Sequence, residues 1–443
     1  MDKAKVLLII VLVLSIASVS NAINVIYVDV NGPNDPGTGT SSDPFRRIQD
    51  AIDDANNGDI IEIWPGLYTS NGNYDLDPNG KSIAIRSTEP NDPNIVANTI
   101  IDPNESGRGF YFHSGEDANC IVSGLTIKNA YTTDLGAGIY CDNSSPTIIN
   151  CIITDNYAEG YGGGVYCWDS NSLFKNCTIS NNSALDGGGL GCRSGSPQLT
   201  NCIISNNCAI RYAGGVDCYN QGNPILTNCT LINNSAEPNG FGGAVCLWDS
   251  DVNIKNSILW ANKAKTGAQL YLHFESSASV SYCDVQGGSS EVYDPCGTVS
   301  WGGGNIDADP CFALFDVNGD PNLWDFHLQS AYGRWDANSQ SWVIDSNTSQ
   351  CIDTGDPNSD WDDEPWPNGR RINMGAFGGT NQASMNGNIA DFNISGSVDF
   401  RDFAEFSDKW FAQEFCIEDL TNDGVVDFAD LRMFVKNWLW QKE

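Results

Sequence analysis

A short glycine-rich phrase recurs five times in the middle of the chain, and this repeat limits the possible folds. It occupies residues 136–141, 162–167, 187–192, 213–218 and 242–247. A second marker, Asn followed by Cys or Ser, comes after each copy, at residues 150–151, 176–177, 201–202, 228–229 and 256–257. Two markers that keep register at a period of about 26 residues indicate a solenoid, in which each repeat stacks on the next.

The segments between the markers predict strands. They are short and β-branched, as at residues 147–149 and 151–153, and Gly, Asn, Asp and Pro separate them every few residues. We expect three short strands per coil, each paired with its equivalent one coil along, about 4.8 Å away. The sequence therefore predicts an all-β fold, a right-handed parallel β-helix.

Four columns of residues are expected to point into the bore of this solenoid. Two are apolar (Ile148, Phe174, Leu199, Leu226, Ile254; and Ile153, Ile179, Ile204, Leu231, Leu259), and two are rich in cysteine (Cys141, Cys167, Cys192, Cys218, Leu247; and Cys151, Cys177, Cys202, Cys229, Ser257). Because Leu and Ser replace Cys in these columns, packing of free thiols is favoured, with disulfide or metal binding as alternatives.

Two other sets of residues complete this prediction. Cys283, Cys296, Cys311 and Cys351 lie outside the repeats and are candidates for disulfides, but the sequence does not give their pairing. The Asn of each second marker is expected at a bend, where side-chain amides stack along the axis.

The first 22 residues have the pattern of a secretory signal peptide. Lys3 and Lys5 precede an apolar run over residues 6–19, and small residues precede the expected mature start near Ile23. An uncleaved N-terminal anchor is the alternative. No later stretch is apolar enough to span a bilayer, so we expect a secreted or cell-surface protein.

The charge balance narrows the possible partners. The chain has 22 Lys and Arg residues against 56 Asp and Glu residues, a formal net charge of -34. Nucleic acids and anionic membranes require clustered cations, so neither is an expected partner. Divalent cations suit this composition better.

A duplicated loop near the C-terminus predicts two calcium sites. The ligand positions 1, 3, 5, 7, 9 and 12 are Asp391, Asn393, Ser395, Ser397, Asp399 and Asp402 in the first loop, and Asp419, Thr421, Asp423, Val425, Asp427 and Asp430 in the second, 28 residues on. Calcium prefers such a set of oxygen ligands, with Gly at position 6 for the sharp turn. An amphipathic helix follows each loop in the prediction.

An outward-facing aromatic stripe is the candidate binding surface. It comprises Trp168, Asp169, Arg193, Tyr219, Trp248 and Asp249, and neighbouring loops add Tyr161, Asp186, Arg211, Tyr212 and Phe241. Aromatic rings beside polar groups suit sugar rings, although aromatic residues also stack between strands for stability alone. Hydrolysis needs two carboxylates, which Asp169, Asp186 or Asp249 would supply, and a lyase needs a base such as Arg193 or Arg211. No catalytic residue is assigned, and the three isolated histidines are expected to be structural.

Residues 24–382 resemble the pectin-lyase-like right-handed β-helix superfamily, and the glycine-rich phrases resemble the repeats of polymorphic outer-membrane proteins. The resemblance implies a capping helix at residues 48–55 and a closing segment at residues 370–379. The domains expected are a signal peptide at 1–22, a β-helix at 23–385 and a module at 388–443.

The C-terminal module resembles a type I dockerin, which implies a cohesin-like partner and assembly with polysaccharide-degrading enzymes. It departs from that family at loop positions 10 and 11, which are Phe400-Arg401 and Phe428-Ala429, and Ser395 and Thr421 are weak ligands. We expect an extracellular protein that binds or processes polysaccharide, a hydrolase or lyase if it is an enzyme. The alternative is a non-catalytic structural or adhesive surface protein.

Overall fold

The computed structural model describes residues 23–413, 416–421, 424–439 and 441. The predicted signal peptide at residues 1–22 and the predicted ligand Asp423 lie outside this described part. No helix within it has the length and apolar character needed to cross a membrane.

The repeats form a parallel β-helix whose complete coils contribute four strands, so the prediction of three was wrong. The strands over residues 139–161 are Ile139–Asp142, Thr147–Ile149, Ile152–Thr154 and Tyr157–Tyr161. Sequence patterns missed the fourth because it lies in the polar segment before the glycines, where the pairing register shifts between coils.

Equivalent strands of successive coils pair in parallel and form four sheets in the described part of the chain. Sheet 1 comprises Val25–Val28, Ile60–Ile63, Ala84–Ser87, Ile121–Ser123, Thr147–Ile149, Leu173–Lys175, Gln198–Thr200, Ile225–Thr227, Asp251–Lys255, Ser277–Ser281 and Thr298–Trp301. Sheet 2 comprises Gly66–Tyr68, Thr99–Ile101, Thr126–Lys128, Ile152–Thr154, Thr178–Ser180, Ile203–Ser205, Thr230–Ile232, Ile258–Trp260 and Asp284–Val285.

Sheets 3 and 4 complete the coils. Sheet 3 comprises Tyr131–Thr132, Tyr157–Tyr161, Ser183–Asp186, Cys208–Tyr212, Ser235–Phe241 and Lys263–Thr266. Sheet 4 comprises Phe110–Phe112, Ile139–Asp142, Val165–Trp168, Leu190–Gly195, Val216–Gly222, Val245–Trp248, Leu270–His273 and Val292–Tyr293. Beyond the coils, Phe312–Leu314 pairs antiparallel with Asp325–Leu328, and Arg334–Asp336 with Ser341–Val343.

The bore is packed as the columns predict. Every member of the two apolar columns and of the two cysteine columns is buried, with no side chain more than 1% exposed. All sixteen cysteines lie in the described part, and none forms a disulfide. The placement of Cys283 outside the repeats was wrong, because its thiol continues the fourth column beside Ser257 and donates to the carbonyl of Ile254 at 3.5 Å. The marker was missed there because Tyr282 replaces its Asn.

The marker asparagines lie at a bend, as predicted, and all five adopt left-handed backbone conformations with φ between 51° and 54°. The predicted stacking holds only in part. Nδ2 of Asn176 donates to Oδ1 of Asn150 at 3.0 Å, whereas Nδ2 of Asn201 donates to the carbonyls of Ala376 and Gly378 at 2.9 and 2.7 Å.

Four α-helices are present in the described part: α1 (Ile48–Asp54), α2 (Pro93–Asn98), α3 (Phe400–Asp408) and α4 (Phe428–Lys436); short 3-10 helices cover Gly288–Glu291 and Pro321–Leu323. Ile48, Ala51 and Ile52 of α1 belong to the core of the bore, which confirms the capping helix. The expectation that residues 370–379 close the other end was wrong. Met374 packs against Ile232 and Ile258, so this segment lies along the side of the coils.

The predicted helices of the C-terminal module begin at matching capping boxes. Asp399 and Asp402 cap α3, and Asp427 and Asp430 cap α4 in the same way. The buried core of the module includes Phe392, Phe406 and Phe434. Trp366 packs against this core and donates from its indole to the carbonyl of Ile389 at 2.9 Å, which fixes the module to the preceding segment.

Candidate functional site: a cavity on the outer face of sheet 4

An outward-facing column on sheet 4 is aromatic at both ends and interrupted in the middle. Its members lie in register on successive strands: Tyr111, Tyr140, Tyr166, Gly191, Asp217, Cys246, Tyr271 and Tyr293. The rings of Tyr111 and Tyr140 stack with centroids 5.0 Å apart, and those of Tyr271 and Tyr293 are 5.3 Å apart. Three successive strands lack a ring of their own. The ring of Tyr166 lies against Gly191, and beyond it the surface opens over Asp217 and Cys246 into a cavity of about 320 Å³.

A second outward column, which we call the rim column, contains four of the predicted site residues. Trp168, Arg193, Tyr219 and Trp248 occupy equivalent positions on adjacent strands. The guanidinium of Arg193 lies 4.7 Å from the ring centroid of Trp168 and 5.5 Å from that of Tyr219. Tyr219 and Trp248 line the cavity. The predicted aromatic stripe is therefore a continuous structural feature.

The two predicted carboxylates of the stripe lie elsewhere. Asp169 and Asp249 each follow a strand of sheet 4 in a left-handed turn, with φ of 48° and 51°, and both are exposed. Neither lines the cavity. Their sequence position beside the tryptophans suggested a shared surface, but the turn takes them out of the sheet.

The wall of the cavity comes from sheet 3. The sequence analysis placed its residues in loops, but they lie on strands: Tyr161, Asp186, Arg211 and Tyr212. The carboxylate of Asp186 is 2% exposed and forms an ion pair with Arg211, whose Nε lies 3.0 Å from Oδ1. The backbone N–H of Tyr212 donates to the same oxygen at 3.1 Å. Burial raises the pKa of Asp186, although Arg211 opposes the shift.

Asp217 and Cys246 line the floor, and sequence reasoning missed both as site residues. Their side chains are 5% and 1% exposed. Burial raises the pKa of Asp217 well above its usual range, and the nearby charge of Asp186 adds to this shift; Cys246 and Arg211 act in the opposite direction. Burial therefore favours the neutral carboxylic acid form of Asp217, which is able to donate a hydrogen bond. The available signal was the break in the tyrosine column immediately before the cysteine column.

The cavity is better equipped to bind than to cleave. Hydrolysis of a glycosidic bond requires two carboxylates that exchange protons with the substrate or water. Both oxygens of Asp186 are occupied by Arg211 and by the Tyr212 amide. Asp217 is then the single carboxyl group of the cavity with spare hydrogen-bonding capacity among the described residues. The two candidate bases, Arg193 and Arg211, are held by aromatic rings and by Asp186, respectively.

The predicted calcium loops are closed by a fully buried carboxylate in each. Asp402 accepts the backbone N–H groups of Asn393 and Asp399 at 3.2 and 2.8 Å. Asp430 accepts those of Thr421 and Asp427, both at 2.8 Å. The two loops therefore share one internal design, which their 28-residue repeat suggested.

Within the described residues, position 3 of both loops contains buried polar atoms with no hydrogen-bond partner. They are Oδ1 and Nδ2 of Asn393 and Oγ1 of Thr421. Such atoms are costly unless a ligand satisfies them, so the residues present fit an oxygen-coordinated cation. In the described part of the chain, however, no group of three His, Cys, Asp or Glu side chains is arranged around a metal position.

Comparison with known proteins places the coils in a family. The family model of the right handed beta helix region matches residues 83–259 and 137–311, which together cover more than half of the chain. The protein belongs to this right-handed β-helix family.

Two solved structures are similar to the chain at low identity. One is the crystal structure of pectate lyase Pel9A, 15% identical, covering 81% of this chain and 96% of that one with a TM-score of 0.43. Another is a rhamnogalacturonan lyase, 12% identical, covering 74% and 97% with a TM-score of 0.31. No curated protein matches the sequence significantly.

Proposed function

We propose that this protein is an extracellular polysaccharide-binding protein that holds a glycan segment in the sheet 4 cavity. The observation that carries the proposal is the loss of the aromatic column at three successive strands. A column built only for stability would continue through Gly191, Asp217 and Cys246. Its interruption leaves a cavity bordered by rings and floored by a neutral acid.

The chemistry of the lining suits a sugar. Rings of Tyr212, Tyr219 and Trp248 line the cavity and offer apolar surface for pyranose rings, and the hydroxyl of Tyr219 is held by a hydrogen bond with that of Tyr166. A cavity of about 320 Å³ with few convergent polar groups falls at the lower end of ordinary ligand sites. The carboxylic acid of Asp217 donates to a sugar oxygen without the cost of burying a charge.

Substitution of one lining tryptophan tests the proposal. Trp248→Ala removes a ring from the cavity, and Trp342→Ala removes a ring from a hairpin that does not line the cavity. The purified protein is tested by affinity electrophoresis in gels that contain neutral or acidic polysaccharides. We expect retardation to fall at least tenfold for Trp248→Ala and to persist for Trp342→Ala.

Failure of every polysaccharide to retard the wild-type protein overturns the proposal and favours the structural or adhesive alternative. A specific observation supports that alternative: the ring of Trp248 stacks on His273 with centroids 4.1 Å apart. Release of reducing ends or unsaturated products in the same assay would make the protein a polysaccharide-processing enzyme.

The C-terminal module is proposed as a calcium-dependent anchor to a cohesin-like partner. Supporting this, Phe400 and Phe428, at position 10 of the two loops, are 77% and 72% exposed. Each packs edge-on against a tryptophan from the other half, Phe400 on Trp438 and Phe428 on Trp410, both at 5.1 Å. The module thus offers two equivalent aromatic surfaces. Binding to an immobilised cohesin in calcium but not in chelator would support the anchor.

A further inference from the structure

A second groove lies away from the cavity, between the coils and the segment that follows them. We call it the amide groove. One wall is the corner between sheets 1 and 2, which presents Asn150 and Asn176, and the other includes Trp335, Phe377 and Gln382. Its volume is about 680 Å³, roughly twice that of the cavity.

The two walls are fixed to each other. Asn201 donates from Nδ2 to the carbonyls of Ala376 and Gly378, and Asn228 donates to Gly378 at 2.7 Å. The rings of His327 and Phe377 stack with centroids 3.6 Å apart. The groove is therefore a preformed feature, which lowers the entropic cost of filling it.

Apart from His327, the side chains that line the amide groove are uncharged. Among the described residues no Asp, Glu, Lys or Arg lines it, although the chain contains 56 acidic residues. A charged ligand would lose its hydration there without gaining a strong ion pair. An electrically neutral ligand therefore suits the groove best.

The polar groups are amides in a regular series. Nδ2 of Asn176 donates to Asn150 at 3.0 Å, and Nδ2 of Asn150 donates to Oδ1 of Asn91 at 2.7 Å. Successive coils place these amides about 4.8 Å apart along the axis. Each Nδ2 uses one of its two N–H groups within the series, so the second N–H of Asn150 and of Asn176 is left to donate to a hydroxyl group.

An extended peptide fits this corner less well. Peptides that bind sheets add a strand to a free edge and use its main-chain groups. Here the N–H groups of Asn150 and Asn176 already donate to Lys175 and Thr200 in the next coil, at 2.9 and 3.0 Å. Side chains alone face the groove, with Trp335 as an aromatic surface opposite the amides.

We propose that the amide groove is a second carbohydrate site that binds a neutral oligosaccharide along the helix axis. Hydroxyl groups of the sugar exchange hydrogen bonds with Asn150 and Asn176, and a ring face packs on Trp335. This site shares no lining residue with the sheet 4 cavity. Its expected ligand is an uncharged oligosaccharide and not an acidic one.

The experiment uses the full chain with Trp248→Ala as background, so that the cavity contributes little. Calorimetric titration is performed with cellohexaose, mannohexaose and xylohexaose, with hexagalacturonate as the acidic counterpart. Asn176→Gly deletes one groove amide and preserves the left-handed turn. Asn206→Gly is the matched control, because Asn206 has the same φ of 54° and belongs to an amide series at another corner.

We expect a neutral hexasaccharide to bind, Asn176→Gly to weaken it at least fivefold, and Asn206→Gly to leave it unchanged. Trp335→Ala should weaken it as well, with thermal unfolding as the check on folding. Equal effects of the two glycine variants, preference for hexagalacturonate, absence of neutral binding, or preference for peptides in a library screen would overturn the groove proposal. If Trp248→Ala alone abolishes the binding of neutral oligosaccharides seen with the wild type, the groove proposal is overturned and the cavity proposal is supported.

Discussion

The side-chain amide of Asn182 donates to Oδ1 of Asn207 at 3.0 Å, and the backbone N–H of Asn182 donates to that same oxygen at 3.0 Å. The pattern repeats along a buried series formed by Asn156, Asn182, Asn207, Asn234 and Asn262. Each amide also donates to a main-chain carbonyl in the preceding coil, as Asn207 does to Ile179 at 2.9 Å. The series satisfies polar backbone groups at a buried bend.

Substitution of a central member should destabilise the β-helix strongly. Asn207→Ala leaves the Asn182 amide and the Ile179 carbonyl without partners in a fully buried position. Unsatisfied buried groups cost about 1–3 kcal/mol each, so we expect a loss of roughly 3 kcal/mol in the free energy of unfolding. Urea denaturation measures this. Asn206→Gly, in the half-buried outer series, should cost less than half as much, and equal losses would contradict the prediction.

The coil architecture was predictable because it depends on side chains that recur. Apolar and cysteine columns mark the bore, and a duplicated loop marks the C-terminal module. The buried asparagine series was missed because the sequence stretch Asn181-Asn182 looks like an exposed turn. Cys283 was missed because Tyr282 replaces the marker asparagine. In both cases the position in the coil, and not the residue type, determines that the side chain is buried.

The candidate site was predictable only in part for a similar reason. Trp248, Tyr219 and Arg193 were found because they repeat beside a known column. Asp217 and Cys246 were not found, because they stand out only as small residues at positions where other coils have a tyrosine ring. The aligned repeats show the change from Tyr140 and Tyr166 to Gly191, Asp217 and Cys246, but only the structure shows that Asp217 and Cys246 form the floor of a cavity walled by sheet 3.

The neutral form of Asp217 should control glycan affinity. Asp217→Asn keeps the volume and the donor, so we expect affinity within about threefold of the wild type at pH 6. Asp217→Ala should weaken binding at least tenfold. Because the buried acid loses its proton only well above its usual pKa, wild-type affinity should fall as the pH rises, and Asp217→Asn should not follow. Titration calorimetry from pH 5 to pH 9 checks this, and parallel profiles would contradict it.

Glu364 should make the protein less stable as the pH rises. Burial raises its pKa to about 8, against the hydrogen bonds that its Oε1 accepts from Asn373 and Gly379 at 2.8 and 2.7 Å. Between the ordinary carboxyl pKa and pH 8 the folded state holds a proton that the unfolded state has lost. The stability that Glu364 contributes is therefore fully present at acidic pH and is lost as the pH rises toward 8. Between pH 5 and pH 8 the free energy of unfolding falls by up to roughly 3 kcal/mol.

The variant Glu364→Gln keeps the accepting oxygen and removes the titration. We expect it to be more stable than the wild type at pH 8 by roughly 2 kcal/mol and to show a flatter dependence on pH. Thermal unfolding at pH 5, 6.5 and 8 measures the difference. A variant whose curve runs parallel to that of the wild type would show that Glu364 does not titrate in this range.

The hydroxyl of Thr421 provides a test of the calcium proposal. Its removal is expected to have opposite effects on the stability of the C-terminal module in chelator and in calcium. Thr421→Val keeps the shape and removes Oγ1, a buried atom that has no hydrogen-bond partner among the described residues. In chelator this change should stabilise the C-terminal module or leave it unchanged, because an unsatisfied group is removed. In millimolar calcium it should reduce the gain in melting temperature, because a ligand is lost and binding stabilises the folded state by mass action. Asn393→Ala tests the first loop in the same way. Differential scanning calorimetry with and without calcium measures both variants, and identical shifts in the two conditions would rule out a cation at position 3.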